Sequence, residues 1–451
     1  MEGNMEIIAL LVILMTLTLT IEAQQFSLVH KYAHLEGSPA NSQGQGVSPE
    51  YSALLKAHDR RRLDAFYPLG GSADLSIGLY YTEITLGTPP QNYHVQVDTG
   101  SDVLWLNCAP CPNCPLTTTI PGITLRHYDP TLSSTDTALG CTDANCAVAS
   151  YGNPGQCTVS PPGACAYFIG YGDGSTTEGY IINDIITFHD SATTTAAANI
   201  YFGCGTNQTG NLLESTAAVD GLIGFGQAAI SVPTQLADQG LVGHVFAHCL
   251  QGDTVGGGNI VIGNITEPGI TYTPMVPGQT HYNVALQNIG VNGVNVTDPT
   301  SFEITASNEG VIMDSGSTLA YLIEPAYDQF VAAIESGAPV PSERISDGNG
   351  GYVLCWSYSG DIATTFPSVQ LFFDGGAVMN LAPTNYLYLQ ALTSGASAYC
   401  MGWQASTGTV SAPGYTLFGD IVLKDQLVVY DNTNQILGWK PFNCSQPIPG
   451  V

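Results

Sequence analysis

The strongest constraint on this chain is a short stretch that it contains twice. Val95-Gln96-Val97-Asp98-Thr99-Gly100-Ser101 recurs 216 positions later as Val311-Ile312-Met313-Asp314-Ser315-Gly316-Ser317. Each copy is an apolar, β-prone run that delivers one carboxylate into a glycine turn, with small hydroxyl residues on either side of the glycine. A carboxylate at the end of a buried strand is costly unless hydrogen bonds or a neighbouring charge compensate it, and such residues gather at functional sites. Two copies point to a facing pair, Asp98 and Asp314.

The duplication is wider than the turns. The run Tyr81 to Gly87 precedes Asp98 much as Tyr282 to Gly290 precedes Asp314, and Asp220-Gly221-Leu222-Ile223-Gly224 is answered downstream by Thr416-Leu417-Phe418-Gly419-Asp420. From Leu79 onward, short alternating runs of Val, Ile, Thr and Tyr are punctuated by Gly, Pro and Asn, which is the pattern of a mainly β chain. Residues 325–334 are the best helical candidate. The expected architecture is two similar β-rich lobes with the site in the cleft between them. Residues 75–268 form the N-terminal lobe and residues 269–451 the C-terminal lobe, with a seam near residues 266–275.

The N-terminal part reads differently. Residues 7–21, IIALLVILMTLTLTI, are a 15-residue apolar run ending near the small residue Ala23, so residues 1–23 are expected to be a secretory signal peptide. Glu2 and Glu6 stand where a signal peptide usually carries basic residues, which leaves an uncleaved anchor as the alternative. No stable membrane anchor is expected after cleavage. Residues 24–74 are expected to be a propeptide, with a helix-like patch from Tyr51 to Leu63 that includes Arg60-Arg61-Arg62. The alternative is a solvated linker.

Charge narrows the partners. The chain has 9 Lys plus Arg against 37 acidic residues, a formal charge of -28, so nucleic acid is not an expected partner. From residue 75 onward there are 29 acidic and 4 basic residues. Such a surface is relieved of self-repulsion as its carboxylates protonate, which hints at an acidic working environment. The propeptide's cations would lie against this acidic part at neutral pH and release it in acid.

The 12 cysteines, Cys108, Cys111, Cys114, Cys141, Cys146, Cys157, Cys165, Cys204, Cys249, Cys355, Cys400 and Cys444, form an even set behind a signal peptide. That arithmetic favours up to six disulfides in an oxidising compartment. Connectivity does not follow from sequence, though Cys355 with Cys400 is a plausible pair. Cys108, Cys111 and Cys114 have the spacing of some metal sites, but Pro115 follows at once and no fourth cysteine is suitably placed, so no metal and no cofactor are expected. Asn207, Asn264, Asn295 and Asn443 begin glycosylation sequons, Asn443 with Cys444 in the middle position.

Two carboxylates within hydrogen-bond reach resist ionising together, so they titrate as a unit and one proton is shared. Such a pair can activate a water as base and polarise a carbonyl as acid. On these residues the chain resembles the pepsin-like aspartic proteases, family A1, and within them the plant atypical or nepenthesin-like branch. The resemblance covers residues 75–445. It implies that Asp98 and Asp314 are the catalytic dyad and that Ser101 and Ser317 hold their outer oxygens. Thr99 and Ser315 would lock the two loops together, with Gly100 and Gly316 forming the turns. Tyr171-Gly172-Asp173-Gly174-Ser175 resembles the flap that closes over substrate, and Trp105 matches the tryptophan supporting its tyrosine. Asp173 and Ser315 stand where the pepsin pattern has threonine.

The implied function is a secreted aspartic endopeptidase, a monomer acting on polypeptide substrates, extracellular or alternatively vacuolar. The competing reading is a catalytically inactive binding or inhibitor protein on the same fold, as in plant xylanase inhibitors, whose catalytic motifs are damaged. Here both motifs are intact. A structural glycoprotein with two unrelated Asp-Gly turns is a third reading, which the wider repeat disfavours.

Overall fold

Each half of the chain is built around the same four-strand pattern. In the first half, strand Gln91–Asp98 pairs in parallel with Gly221–Gly224, which pairs antiparallel with Trp105–Asn107, which pairs in parallel with Thr195–Gln208. In the second half, Val311–Met313, Thr416–Phe418, Ala320–Ile323 and Trp403–Ser406 repeat that order and those directions. Parallel strands are covered on both faces, and the strands Gly221–Gly224 and Thr416–Phe418 are buried at every position. The apolar-apolar-Gly sequences end in glycine for a steric reason. A Cβ on Gly224 would lie 2.2 Å from the Asp102 carbonyl carbon, and one on Gly419 would lie 2.3 Å from the Leu319 carbonyl oxygen. The repeat seen in the sequence is therefore a repeat of strand connectivity.

The structure is a computed structural model. It describes residues 24–30 and 79–448, apart from 121, 150–155, 173, 190–194, 216–217, 253–256, 264, 306–307, 347–350, 392–396 and 407–413. The expected signal peptide, the Tyr51 to Leu63 patch, Asp173 and Asn264 lie outside the described residues. Gln24–His30, expected as the start of a propeptide, is a strand that pairs antiparallel with both Gly258–Ile262 and Tyr80–Leu86. It thus sits inside the large sheet of the first half.

That sheet also joins the halves. Strand Val245–Leu250, from the first half, pairs antiparallel with Gln426–Asp431 from the second, bringing His248 opposite Val428. Cys249–Cys444 adds a covalent tie between the same two regions. All 12 cysteines are paired. Cys355–Cys400 is among the pairs, bridging adjacent strands. Cys111–Cys114, Cys141–Cys157 and Cys146–Cys165 staple the insert after Asp98, and Cys108–Cys204 fastens it to strand Thr195–Gln208. The three closely spaced cysteines are thus taken up in disulfides.

The longest helix among the described residues, Glu324–Gly337, carries Pro325 in its first turn, where a missing N–H costs nothing. Ala326, Phe330 and Ile334 recur every fourth residue and are buried, and Phe330 stacks on Trp403 at 4.6 Å.

Candidate active site

The two parallel strand pairs deliver Asp98 and Asp314 to matching positions. Asp98 lies opposite Gly224, and its carbonyl accepts the Phe225 N–H at 2.8 Å; the Asp314 N–H donates to the Phe418 carbonyl at 3.0 Å. Both aspartates are buried, at 3% and 2% exposure. Burial of this degree is tolerable for a carboxylate only with donors in place, and the turns supply them in duplicate. Gly100 N–H donates to one Asp98 oxygen at 2.9 Å and the Ser101 hydroxyl to the other at 2.7 Å. For Asp314 the donors are Gly316 N–H at 2.7 Å and the Ser317 hydroxyl at 2.7 Å.

The turns are also bonded to each other. The Ser315 N–H donates to the Thr99 hydroxyl oxygen at 2.9 Å, and the Thr99 N–H donates to the Ser315 hydroxyl oxygen at 3.2 Å. The Thr99 hydroxyl itself donates to the Met313 carbonyl at 3.0 Å. Serine in place of threonine at position 315 thus keeps the cross-turn bond. The Asp314 carboxylate lies over Gly100, where a Cβ would stand 2.5 Å from Oδ1. The two carboxylates therefore face one space.

The first half also carries a hairpin that is bonded to Trp105. Strands Ala166–Gly170 and Thr176–His189 pair antiparallel, and Tyr171 begins the turn between them, its N–H donating to the Ser175 carbonyl at 2.9 Å. The Trp105 indole N–H donates to the Tyr171 hydroxyl at 2.6 Å, so the tyrosine is fixed from the body of the lobe. Both rings are buried with Val103, Leu139, Ile169 and Ile181. The second half places Tyr321, seven residues after Asp314, in the strand position that Trp105 holds in the first. Gly172 is part of the turn, and Asp173 is outside the described residues.

Sequence reasoning missed what lies beneath the turns. Tyr282 donates its hydroxyl to the Phe225 carbonyl at 2.8 Å, and Tyr430 is hydrogen-bonded to His248 across 3.0 Å. Tyr282 opens a run that the repeat picks out, but nothing in that run tells where its hydroxyl goes, and no motif or periodicity marks His248 or Tyr430. Burial pushes the His248 pKa down to about 3, so the ring is neutral. Of the sequon residues, Asn295 and Asn443 are exposed, whereas the Asn207 amide nitrogen donates to Glu178 at 2.8 Å.

Family profiles described as xylanase inhibitor N-terminal and C-terminal match residues 80–264 and 281–441. Aspartic proteinase 36 of Arabidopsis thaliana is 38% identical over 435 residues, covering 94% of this chain and 84% of the relative. Aspartic proteinase 39 of the same plant is 40% identical over 405 residues, covering 87% and 82%. Aspartic proteinase nepenthesin-2 of Nepenthes gracilis is 31% identical over 378 residues, covering 81% and 78%. The crystal structure of basic 7S globulin from soybean shares the fold, with a TM-score of 0.65 at 20% identity over 95% of this chain and 99% of that one. With both profiles matched and these relatives aligned across both lobes, the chain belongs to the pepsin-like aspartic protease family, in its plant, nepenthesin-like branch.

Proposed function

We propose that the protein is an aspartic endopeptidase that hydrolyses peptide bonds in proteins with a water held between Asp98 and Asp314. The observation that carries this reading is the equivalence of the two carboxylate cradles, each made of one glycine N–H and one serine hydroxyl, tied to each other through Thr99 and Ser315. Paired in this way, the carboxylates work with one proton between them. The ionised member removes a proton from water as its oxygen attacks the peptide carbonyl carbon, while the other gives its proton to the carbonyl oxygen. Collapse of the resulting diol returns a proton to the departing nitrogen as the C–N bond breaks. Tyr171, held by Trp105, closes the site over an extended peptide.

The acidic balance of the chain favours work at acidic pH. Residues 1–23 are assigned as a signal peptide and residues 24–74 as a propeptide, which puts the protein in the secretory pathway, extracellular or vacuolar, as a monomer. The second reading, an inactive binding or inhibitor protein, draws on the xylanase-inhibitor description of the matching profiles. It has no use for two intact cradles. The deciding experiment is to secrete the full chain from a eukaryotic host, acidify it, and follow peptide hydrolysis with and without pepstatin. Pepstatin-sensitive cleavage is expected between about pH 3 and 6; its absence would sink the enzyme reading.

A further inference from the structure

The hairpin that carries Tyr171 is held at both ends of its turn, and both holds start from one strand, Trp105–Asn107. The first is the Trp105 indole N–H, which donates to the Tyr171 hydroxyl at 2.6 Å. The second starts from Asn107. Its side-chain oxygen accepts the Gln208 amide at 3.0 Å, and the two side chains are buried, at 2% and 1% exposure. Gln208 closes strand Thr195–Gln208, and residues 209–211 after it lie against Ser175 and Thr176, where the returning hairpin strand begins.

Hydrogen bonds make this contact. The Thr209 N–H donates to the Thr176 carbonyl at 3.0 Å, the Thr176 N–H donates to the Thr209 hydroxyl oxygen at 3.0 Å, and the two hydroxyls share a bond of 2.7 Å. The Asn211 N–H donates to the Ser175 hydroxyl oxygen at 3.0 Å. Gly210, between these two, has a φ of 61°, and a Cβ there would stand 2.7 Å from Ser175 Oγ, so only glycine fits the close approach. A β-bulge directs the segment there. Glu178 lies opposite Asn207 but Gly179 opposite Gly205, which leaves Thr206 as the extra residue that bends the end of its strand. Ser175, at 1% exposure, is the junction: its carbonyl accepts the Tyr171 N–H at 2.9 Å while its hydroxyl accepts from Asn211.

We infer that Ser175, braced by Thr209 and Asn211, is a positioning residue for Tyr171 and acts jointly with Trp105. The inference rests on the endopeptidase reading for its kinetic consequence and on the hydrogen bonds alone for its structural one. Two holds at the two ends of one turn place a single side chain. With either released, the other no longer determines where Tyr171 stands, so the two work as a unit. A brace that served stability alone would lower the melting temperature and leave the folded enzyme's turnover as it was.

Ser175→Ala removes the hydroxyl that Asn211 uses. Thr209 is the third residue of the Asn207 sequon, so a change there would alter glycosylation as well, which Ser175→Ala avoids. Ser175→Ala and Trp105→Phe should each lower kcat/KM about 10-fold, and the double variant about 10- to 20-fold, well short of the product of the two. Gly210→Ala pushes the segment off Ser175 by another route and should match Ser175→Ala. Tyr386→Phe is the control, because Tyr386 is fully buried in the second half and donates to the Pro367 carbonyl at 2.8 Å, and it should leave kcat/KM unchanged. A further measurement does not need activity: the Tyr171 amide should exchange with deuterium faster in Ser175→Ala than in the wild type or Tyr386→Phe. Wild-type kcat/KM in Ser175→Ala, a fully multiplicative loss in the double variant, or unchanged Tyr171 exchange would each overturn the inference. A wild-type protein without peptidase activity would instead count against the endopeptidase reading, leaving exchange to decide this one.

Discussion

The Asp314 carboxylate occupies the space that Gly100 leaves open: a Cβ at position 100 would stand 2.5 Å from Asp314 Oδ1 and 2.7 Å from its carboxyl carbon. One turn is thus shaped to receive the acid of the other. Gly100→Ala should displace Asp314 without disturbing the sheets below, lowering kcat/KM by at least about 100-fold while near-UV circular dichroism stays unchanged. A variant with wild-type turnover would mean that the two carboxylates do not share one site.

Asp98→Asn and Asp314→Asn test the pairing itself. An amide accepts hydrogen bonds through one atom and cannot take the proton, so each change removes a function that the remaining aspartate cannot supply alone. Either single variant should lose all but about 0.1% of activity, and the double variant should lose little more, because residues acting as a unit are non-additive. Initial rates on one fluorogenic peptide for all three variants are sufficient to check it.

The fold and the site were legible in the sequence to different depths. The two turns, their flanking strands and the apolar-apolar-Gly strands could be read because they repeat, and a repeat makes a local pattern informative about distant pairing. Trp105 and Tyr171 could be placed by resemblance, and a 2.6 Å bond joins them. Cys355–Cys400 could be suggested, but the staples within the insert depend on loop paths that no local propensity encodes. Tyr430 and His248 were not legible at all, and Tyr282 was legible only as the first residue of a repeated run. A buried tyrosine in a β-strand looks in sequence like any core aromatic, and the destination of its hydroxyl is decided by tertiary contact. Gln24–His30 shows the same limit, since its seven residues carry little alternation yet complete a sheet.

Trp105→Phe removes the indole N–H that holds the Tyr171 hydroxyl. The apolar contacts of the ring are largely kept, so stability should change little relative to activity. A freed flap closes less often over substrate, and kcat/KM should fall about 10-fold, the kinetic equivalent of about 1.4 kcal/mol. Steady-state kinetics on a long and a short peptide would check it, the longer substrate suffering less because more backbone bonds hold the flap down.

His248 sets a limit on acid stability. Burial depresses its pKa from 6.5 to about 3, so the unfolded chain binds the proton more readily than the folded one between those values. Stability that is full above pH 6.5 is therefore lost as pH falls toward 3, by up to about 5 kcal/mol. Denaturant unfolding at pH 7, 5 and 3.5 should show this loss, and His248→Gln, which does not titrate, should show a flatter profile.

Asp136 works in the opposite sense. Tyr128 has one phenolic proton but faces two carboxylates, Asp184 at 2.5 Å and Asp136 at 3.2 Å. Asp184 also receives the Thr135 hydroxyl at 2.5 Å and the Ile185 N–H at 2.8 Å, so it is the better satisfied ion. Burial first, and then the neighbouring Asp184 charge, raise the Asp136 pKa from 3.8 to about 6. A raised carboxylate pKa means that the folded state holds its proton more tightly than the unfolded state. The group is then without penalty below pH 3.8 and destabilises the fold progressively as pH rises through about 6. Asp136 is only partly buried, so solvent screening reduces the cost at neutral pH to about 1–2 kcal/mol. Asp136→Asn should therefore raise the melting temperature by several degrees at pH 7.5 and leave it unchanged at pH 3.5. Equal stabilisation at both values would show that Asp136 is not the group that makes the lobe more comfortable in acid.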